Sequence, residues 1–324
     1  MKPFESLMAP KLEAYIAYRQ TLGYTDKNLR SLLLPFDEYL KGKKADCYSL
    51  EPSFFLELRK KLKGKPHRVN GILSGLRGFF QFLVRQGGYQ ENPLQDIPPY
   101  AEGAYIPFVF SPEDIEQLLR VIQEKLRKTE EYFLKDLAVY LCILLMARSG
   151  LRISEPLRLL RTHYRSHEGT LYIEKTKFKK DRLIPVPKPA MVEIENYLSV
   201  RKTFLCDGQN PYLLAGQKQK AISTKQIYRV FHQSVKDIGL DQPRRIIADT
   251  TFGSPTPHSL RHSFAINTLK RIKALGKSPR DALPVLAAYM GHRKYRYTAV
   301  YLKVLDAEQR HGLVDFAISA QKDI

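Results

Sequence analysis

Between residues 5 and 86, apolar positions recur at three- and four-residue steps, separated by short polar breaks. LEAYIAYRQTLGY, LRSLLLPFDEYL, SFFLELRKKL and HRVNGILSGLRGFFQFLVRQG each carry one apolar face, which predicts a compact unit of four helices. In the last of these, Val69, Ile72, Leu73, Leu76, Phe80 and Leu83 form the core-facing side, and Asn70, Ser74, Arg77 and Gln81 the opposite polar stripe. Gly71, Gly75 and Gly78 interrupt that helix, each weakening it by about 1 kcal/mol relative to alanine. Something must approach it closely, either another helix or the groove of a nucleic acid.

The stretch ENPLQDIPPYAEGAYIPF, 91–108, concentrates four prolines among polar residues and reads as extended. It sets a division into an N-terminal helical domain, 1–98, a linker, 99–107, and a second domain, 108–324. The second domain opens with SPEDIEQLL, where Ser111 is an N-cap, Pro112 stands in the first turn, and acidic residues face the positive end of the helix dipole. The clear strand signal is TLYIEKTKFKKDRLIPVP, 170–187, two alternating runs around a polar turn. Helices resume in MVEIENYLSV, KQIYRVFHQSVKDIG, HSLRHSFAINTLKRI and DALPVLAAYMG, so the fold class is mainly α with a small β-sheet, α+β.

Charge narrows the functional classes. Lys and Arg number 53 against 33 Asp and Glu, a formal net charge of +20. Residues 1–100 carry 16 basic against 10 acidic side chains, so both parts of the chain are basic and both are expected to meet one extended polyanion. Cys47, Cys142 and Cys206 are too widely spaced for a zinc site and fit a reducing cytoplasm. The first ten residues have no apolar core of the signal-peptide kind, and LAVYLCILLMA, 137–147, is about half the length of a membrane span. A cytoplasmic protein without membrane contact is expected.

Several segments carry candidate chemistry. ARSGLRISEPLRLL sets Arg152 at a glycine-marked break between a buried helix and a new one opening near Ser154, where a guanidinium and free N–H groups could share an anion. In TPHSLRHSFAINTL, His258, Arg261 and His262 fall on one helical face, a set suited to gripping a phosphate and moving protons. His292 follows Gly291, and MGHRKYRYTAVYLKV then offers three tyrosines, Tyr295, Tyr297 and Tyr301. In order and local context, Arg152, the hairpin lysines, HSLRH, the Gly-His pair and a tyrosine nine residues beyond it resemble the tyrosine recombinase, or lambda-type integrase, family.

That resemblance covers most of the chain and implies a core-binding domain followed by a tyrosine recombinase catalytic domain. It implies that Arg152 and Arg261 hold the phosphate, with Glu155 supporting Arg152, and that His292 donates to the phosphate. His258 would be the base, Lys177 the acid, and Tyr301, flanked by Ala299, Val300 and Leu302, the nucleophile, while Tyr295 and Tyr297 lie in the basic run HRKYRY, where stacking or packing is their expected part. Lys175, Lys179 and Lys180 compete with Lys177 for that role. Asn70, Ser74, Arg77 and Gln81 would face the major groove. The implied reaction is cleavage and rejoining of double-stranded DNA through a 3′-phosphotyrosyl intermediate, for integration, excision or transposition of a mobile element. It needs neither metal nor cofactor, and the partners are DNA and other copies of the chain in a tetramer. Leu313, Phe316 and Ile318 of AEQRHGLVDFAIS would dock on a neighbouring protomer. The alternatives are a DNA-binding protein without catalysis and a type IB topoisomerase-like nicking and closing enzyme.

The charge generates a direct test. Affinity for duplex DNA should fall about a thousandfold between 50 and 200 mM salt, the response to release of six or more counterions. Equilibrium binding that is flat across that range contradicts a phosphate-dominated interface.

Overall fold

Proline fixes the backbone at the start of three N-terminal helices in this computed structural model, where its missing N–H goes unused. Helices α1 (Ala9–Thr21), α3 (Pro52–Lys61) and α4 (Pro66–Arg85) each carry it in the first turn, while α2 (Lys27–Lys43) holds Pro35 in its interior. The structure describes residues 2–24, 27–43, 50–174, 181–205, 210–216, 219–247, 250–292, 295, 297–302 and 304–305. The chain divides into two units, Met1–Gly103 and Ala104–Ile324. Among the described residues no helix is long and apolar enough to cross a membrane.

In the first unit, Phe36, Phe55, Phe79 and Phe80 are fully buried and meet largely edge to face, as aromatic quadrupoles favour. The glycines of α4 serve helix packing. A Cβ at Gly75 would lie 3.3 Å from Leu32 Cβ, one at Gly71 3.5 Å from a Leu32 methyl, and one at Gly78 2.5 Å from the Tyr15 hydroxyl. Leu32 on α2 and Tyr15 on α1 thus occupy the space that three side chains would have filled. Asp37, buried on α2, accepts hydrogen bonds from the N–H groups of Glu5 and Ser6 at 2.8 and 3.0 Å, tying the chain before α1 to the bundle.

The expected polar stripe of α4 is not uniformly open. Asn70 donates to the Tyr100 carbonyl at 2.9 Å and accepts from its N–H at 2.8 Å, and Arg77 Nε donates to Leu94 O at 3.0 Å while its Nη2 reaches Ile97 O. Ser74 and Gln81 are exposed. The physical reason is backbone satisfaction: the irregular chain from 92 to 100 has no ladder of its own, and these two side chains supply its partners. That stretch is not a free connection, since Leu94 and Ile97 are buried in the first unit's core.

The second unit begins with a strand inside the segment expected as linker. β1 (Tyr105–Ile106) pairs in parallel with β6 (Thr250–Phe252), which pairs antiparallel with β5 (Arg245–Ile247). This sheet has no counterpart in the sequence reading, because two- and three-residue strands carry no measurable alternation. The expected hairpin is present in β3 (Thr170–Ile173) and β4 (Arg182–Pro185), with Leu171 opposite Ile184, and β2 (Tyr164–Arg165) extends it. Ser111 caps α5 (Pro112–Glu124) in a reciprocal box with Asp114. The apolar α6 (Glu130–Ser149) is surrounded by α5, α7 (Lys188–Phe204), α8 (Thr224–Asp237) and the hairpin. Helix α9 (Pro257–Ala274) gives Leu260 to this core and Ala265, Ile266 and Leu269 to a smaller one, shared with α10 (Pro279–Met290) and Tyr301.

Arg77→Ala should therefore lower the stability of the chain by about 2–3 kcal/mol, since it strands two carbonyls held by a charged donor. Gln81→Ala and Ser74→Ala should stay within about 0.5 kcal/mol of wild type. Denaturant unfolding of the three variants tests this: equal midpoints would return Arg77 to the open polar stripe.

Candidate active site

Helix α6 ends because Gly150 takes a left-handed φ of 59°, and a Cβ there would lie 2.4 Å from the Phe264 ring. The chain then turns through Arg152 into a single 3₁₀ turn, Pro156–Arg158, with Glu155 N–H donating to Arg152 O at 2.7 Å. No α-helix opens near Ser154. The expected helix N-terminus is absent, and charged side chains converge on this turn instead.

Glu155 is its centre. Only 6% exposed, it receives Arg152 Nη1 at 2.9 Å and the Arg152 N–H at 2.9 Å, and it takes Arg182 through a two-pronged contact at 3.1 and 2.9 Å. Arg261 Nη1 lies 4.0 Å from the same carboxylate. Burial pushes the Glu155 carboxyl up, but the Arg182 hydrogen bonds and charge, with Arg152 and Arg261, outweigh it and hold it below its ordinary value. Three guanidiniums can thus share one buried region because one carboxylate offsets them.

Each arginine also holds backbone. Arg152 donates to Gly291 O at 3.0 Å, Arg182 Nε to Tyr289 O at 2.7 Å, and Arg261 to Gly150 O and Met290 O at 2.6 and 2.5 Å. The C-terminal end of α10 is gripped from three sides, and Gly291, at φ 63°, turns the chain immediately before His292. Arg261 is 1% exposed, so it does not share an open face with the histidines as its helical position implied. Burial and then the charge of Arg152, opposed by Glu155, lower it to about 9, and it stays a cation at neutral pH.

Beside this cluster the imidazoles meet the tyrosine. His262 Nδ1 lies 3.2 Å from the Tyr301 hydroxyl, and the His258 ring stands edge-on to His262 with centroids 4.6 Å apart. His292 Nδ1 lies 2.8 Å from the Thr298 hydroxyl, with its ring 6.4 Å from that of Tyr301. Tyr301 is 4% exposed, against 50% for Tyr295 and 48% for Tyr297. Burial raises the Tyr301 hydroxyl above its ordinary value, while Arg261 and Arg152 pull it back. Burial followed by His258 and Arg261 lowers His262 to about 3, and burial with Arg261 and Arg152 lowers His292 to about 4. His258 is lowered for the same reasons. All three are neutral at pH 7, each with one donor and one acceptor nitrogen.

The fold therefore brings Arg152, Glu155, His258, Arg261, His292 and Tyr301 together from four separate stretches of chain. Lys177 and its competitors Lys175, Lys179 and Lys180 lie outside the described residues, as do Cys47, Cys206, Leu313, Phe316 and Ile318. One neighbour of Glu155, Arg182, was not singled out from the sequence. Arg182 shares a strand face with buried Ile184, so the period-2 pattern of RLIP could have flagged an inward arginine. His262 was placed with His258 and Arg261 on the face suited to gripping a phosphate and moving protons, but its own contact, the Tyr301 hydroxyl, is visible only in the fold.

A model of the phage integrase family matches residues 109–308. Tyrosine recombinase XerA of Pyrococcus furiosus is 25% identical over 331 residues, covering 98% of this chain and 99% of that protein. Among solved structures, the XerH site-specific recombinase bound to a palindromic difH substrate superposes with a TM-score of 0.67 at 19% identity, covering 87% of this chain and 77% of that one. A lambda integrase tetramer bound to a Holliday junction gives a TM-score of 0.63 at 16% identity, covering 90% of this chain and 76% of that one. Both structures share this fold.

The lowered histidines fix the direction of the pH response. Below about 6.5 the unfolded chain takes up protons on these rings that the folded chain refuses, so stability falls as pH drops from about 6.5 toward about 3, where His262 itself titrates. Glu155 acts in the same direction at lower pH: its contribution is complete above the ordinary carboxylate value and is lost as pH falls through its lowered one. Thermal melts should show a level Tm from pH 8 to 7 and a steady decline below 6.5, shallower in His262→Asn. A Tm constant down to pH 4 is incompatible with three imidazoles held neutral in the fold.

Proposed function

The chain belongs to the phage integrase family and is a tyrosine site-specific recombinase acting on double-stranded DNA, and we propose that Tyr301 is the nucleophile of its strand exchange. The observation that carries this is the setting of Tyr301: of the tyrosines following His292, it is the one buried, with its hydroxyl at an imidazole and within the field of Arg152 and Arg261.

Transesterification at a phosphodiester needs a nucleophile, charge cancellation on the non-bridging oxygens, and a proton for the leaving oxygen. Arg152 and Arg261, held rigidly by Glu155 and by backbone carbonyls, supply fixed positive charge with N–H groups beyond those already used. His292, oriented by Thr298, donates to the phosphate. As Tyr301 Oη bonds to phosphorus, the bond from phosphorus to the 5′ oxygen breaks. The phenolic proton, held at His262 Nδ1 before reaction, passes to His258, the exposed imidazole beside that ring, and the 5′ oxygen leaves as a hydroxyl with a proton from Lys177 of the hairpin. The 3′-phosphotyrosyl ester retains the energy of the broken bond, so rejoining requires no nucleotide cofactor.

The first unit serves as the core-binding domain, which its basic side chains and helical build support. Relatives solved as dimers and tetramers on DNA support assembly of several copies around a pair of sites. A transposon integrase of the same fold supports action on a mobile element, in the cytoplasm, where such DNA resides.

Tyr301→Phe removes one hydroxyl. It should leave DNA affinity within about twofold and abolish covalent complex on a nicked suicide duplex, whereas Tyr295→Phe and Tyr297→Phe should retain the complex. Mass spectrometry of the trapped peptide decides the matter: phosphotyrosyl DNA on Tyr295 or Tyr297, or an adduct persisting in Tyr301→Phe, refutes the assignment.

A further inference from the structure

We propose that His262 is a positioning residue for the nucleophile: its Nδ1 accepts the hydrogen bond of the Tyr301 hydroxyl and fixes that oxygen beside the arginine cluster before DNA is bound. The proposal rests on the reading of Tyr301 as nucleophile and assigns a task to a side chain outside the set that reading uses.

The argument starts from burial. Tyr301 packs among Ala265, Ile266, Leu269 and Met290, an apolar setting in which a phenolic hydroxyl without a partner would be destabilising. Its partner among the described residues is His262 Nδ1 at 3.2 Å, with the two rings meeting at 65°. The other imidazoles are differently engaged: His292 Nδ1 faces Thr298, and His258 meets the ring of His262. With its pKa held low, His262 is neutral at pH 7 and keeps a lone pair. If Nδ1 accepts from Tyr301, the ring proton sits on Nε2.

Position along the chain gives this contact its leverage. His262 follows Arg261 directly on α9, and Arg261 is locked by Gly150 O and Met290 O. Tyr301 stands on a helical turn, 297–302, reached through the bend at Gly291 and His292. A hydrogen bond from the locked helix to this turn removes rotation of the tyrosine side chain and sets the distance from its oxygen to the phosphate-holding arginines. Misplacing a nucleophile by about 1 Å lowers the rate about a hundredfold at the extreme, whereas loss of one neutral hydrogen bond corresponds to about tenfold. No proton transfer to His262 is required, and a ring held neutral so firmly is a poor base.

Two variants of the full chain separate positioning from packing. His262→Phe keeps a ring but removes the acceptor, and His262→Asn keeps an acceptor oxygen near the place of Nδ1. The probe is a nicked duplex carrying the sequence that the protein protects in footprints of DNA flanking its own gene. His262→Phe should form the covalent complex about tenfold more slowly at unchanged DNA affinity, and His262→Asn should recover to within about threefold of wild type. Without DNA, spectra of ¹⁵N-histidine-labelled protein should show the His262 Nδ1 resonance moving when Tyr301→Phe removes its donor. Wild-type cleavage rates in His262→Phe, equal slowing in both variants, or an unmoved Nδ1 resonance overturns the proposal. Should His262→Phe not fold, the resonance decides alone. Absence of any adduct in wild type would instead defeat the nucleophile reading, while the resonance still reports on the hydrogen bond.

Discussion

The second unit is organised around one buried carboxylate. Glu155 neutralises a region where Arg152, Arg182 and Arg261 would otherwise repel one another, and each arginine also donates to a carbonyl distant from it in the chain. Removing either side of such a network leaves uncompensated charge in a poorly solvated place, typically a loss of about 3–5 kcal/mol. A carboxylate facing three guanidiniums leaves net positive charge, which suits the phosphate the site is proposed to hold.

That arrangement also explains how distant segments share one site. Gly150 O, Tyr289 O, Met290 O and Gly291 O are all acceptors for these arginines, so the end of α6 and the end of α10 are held by the same side chains that would grip DNA. The placement of these arginines and the direction of the chain into His292 and Tyr301 are therefore coupled. Helix α9 completes the coupling, with Leu260 in the large core and Ala265, Ile266 and Leu269 in the small one. Ser263 and Asn267 on α9 bind the backbone of Phe110, anchoring the start of the unit to the same helix.

Neutrality of the imidazoles follows from the same electrostatics. Cations at close range and withdrawal from water both disfavour imidazolium, which leaves His258, His262 and His292 able to accept as well as donate. An anionic phosphate entering the site would reverse part of that bias.

Much of this was legible in the sequence. The helical periods of the first unit, the hairpin at 170–187, the Ser111 cap, and the order of Arg152, His258, Arg261, His292 and Tyr301 depend on local spacing, which a linear reading captures. What the sequence could not reveal was set by contacts between residues far apart. Asn70 and Arg77 read as an open polar face but bind the chain from 94 to 100, and Arg261 reads as one side of an amphipathic helix but is enclosed by carbonyls from residues 150 and 290. The β1–β6 pairing joins positions 105 and 251, and Tyr301 meets His262 rather than His258. Local spacing determines which residues share a face. Only the packed chain determines what that face meets, because a hydrogen bond or a buried charge is satisfied by whichever partner the whole fold delivers.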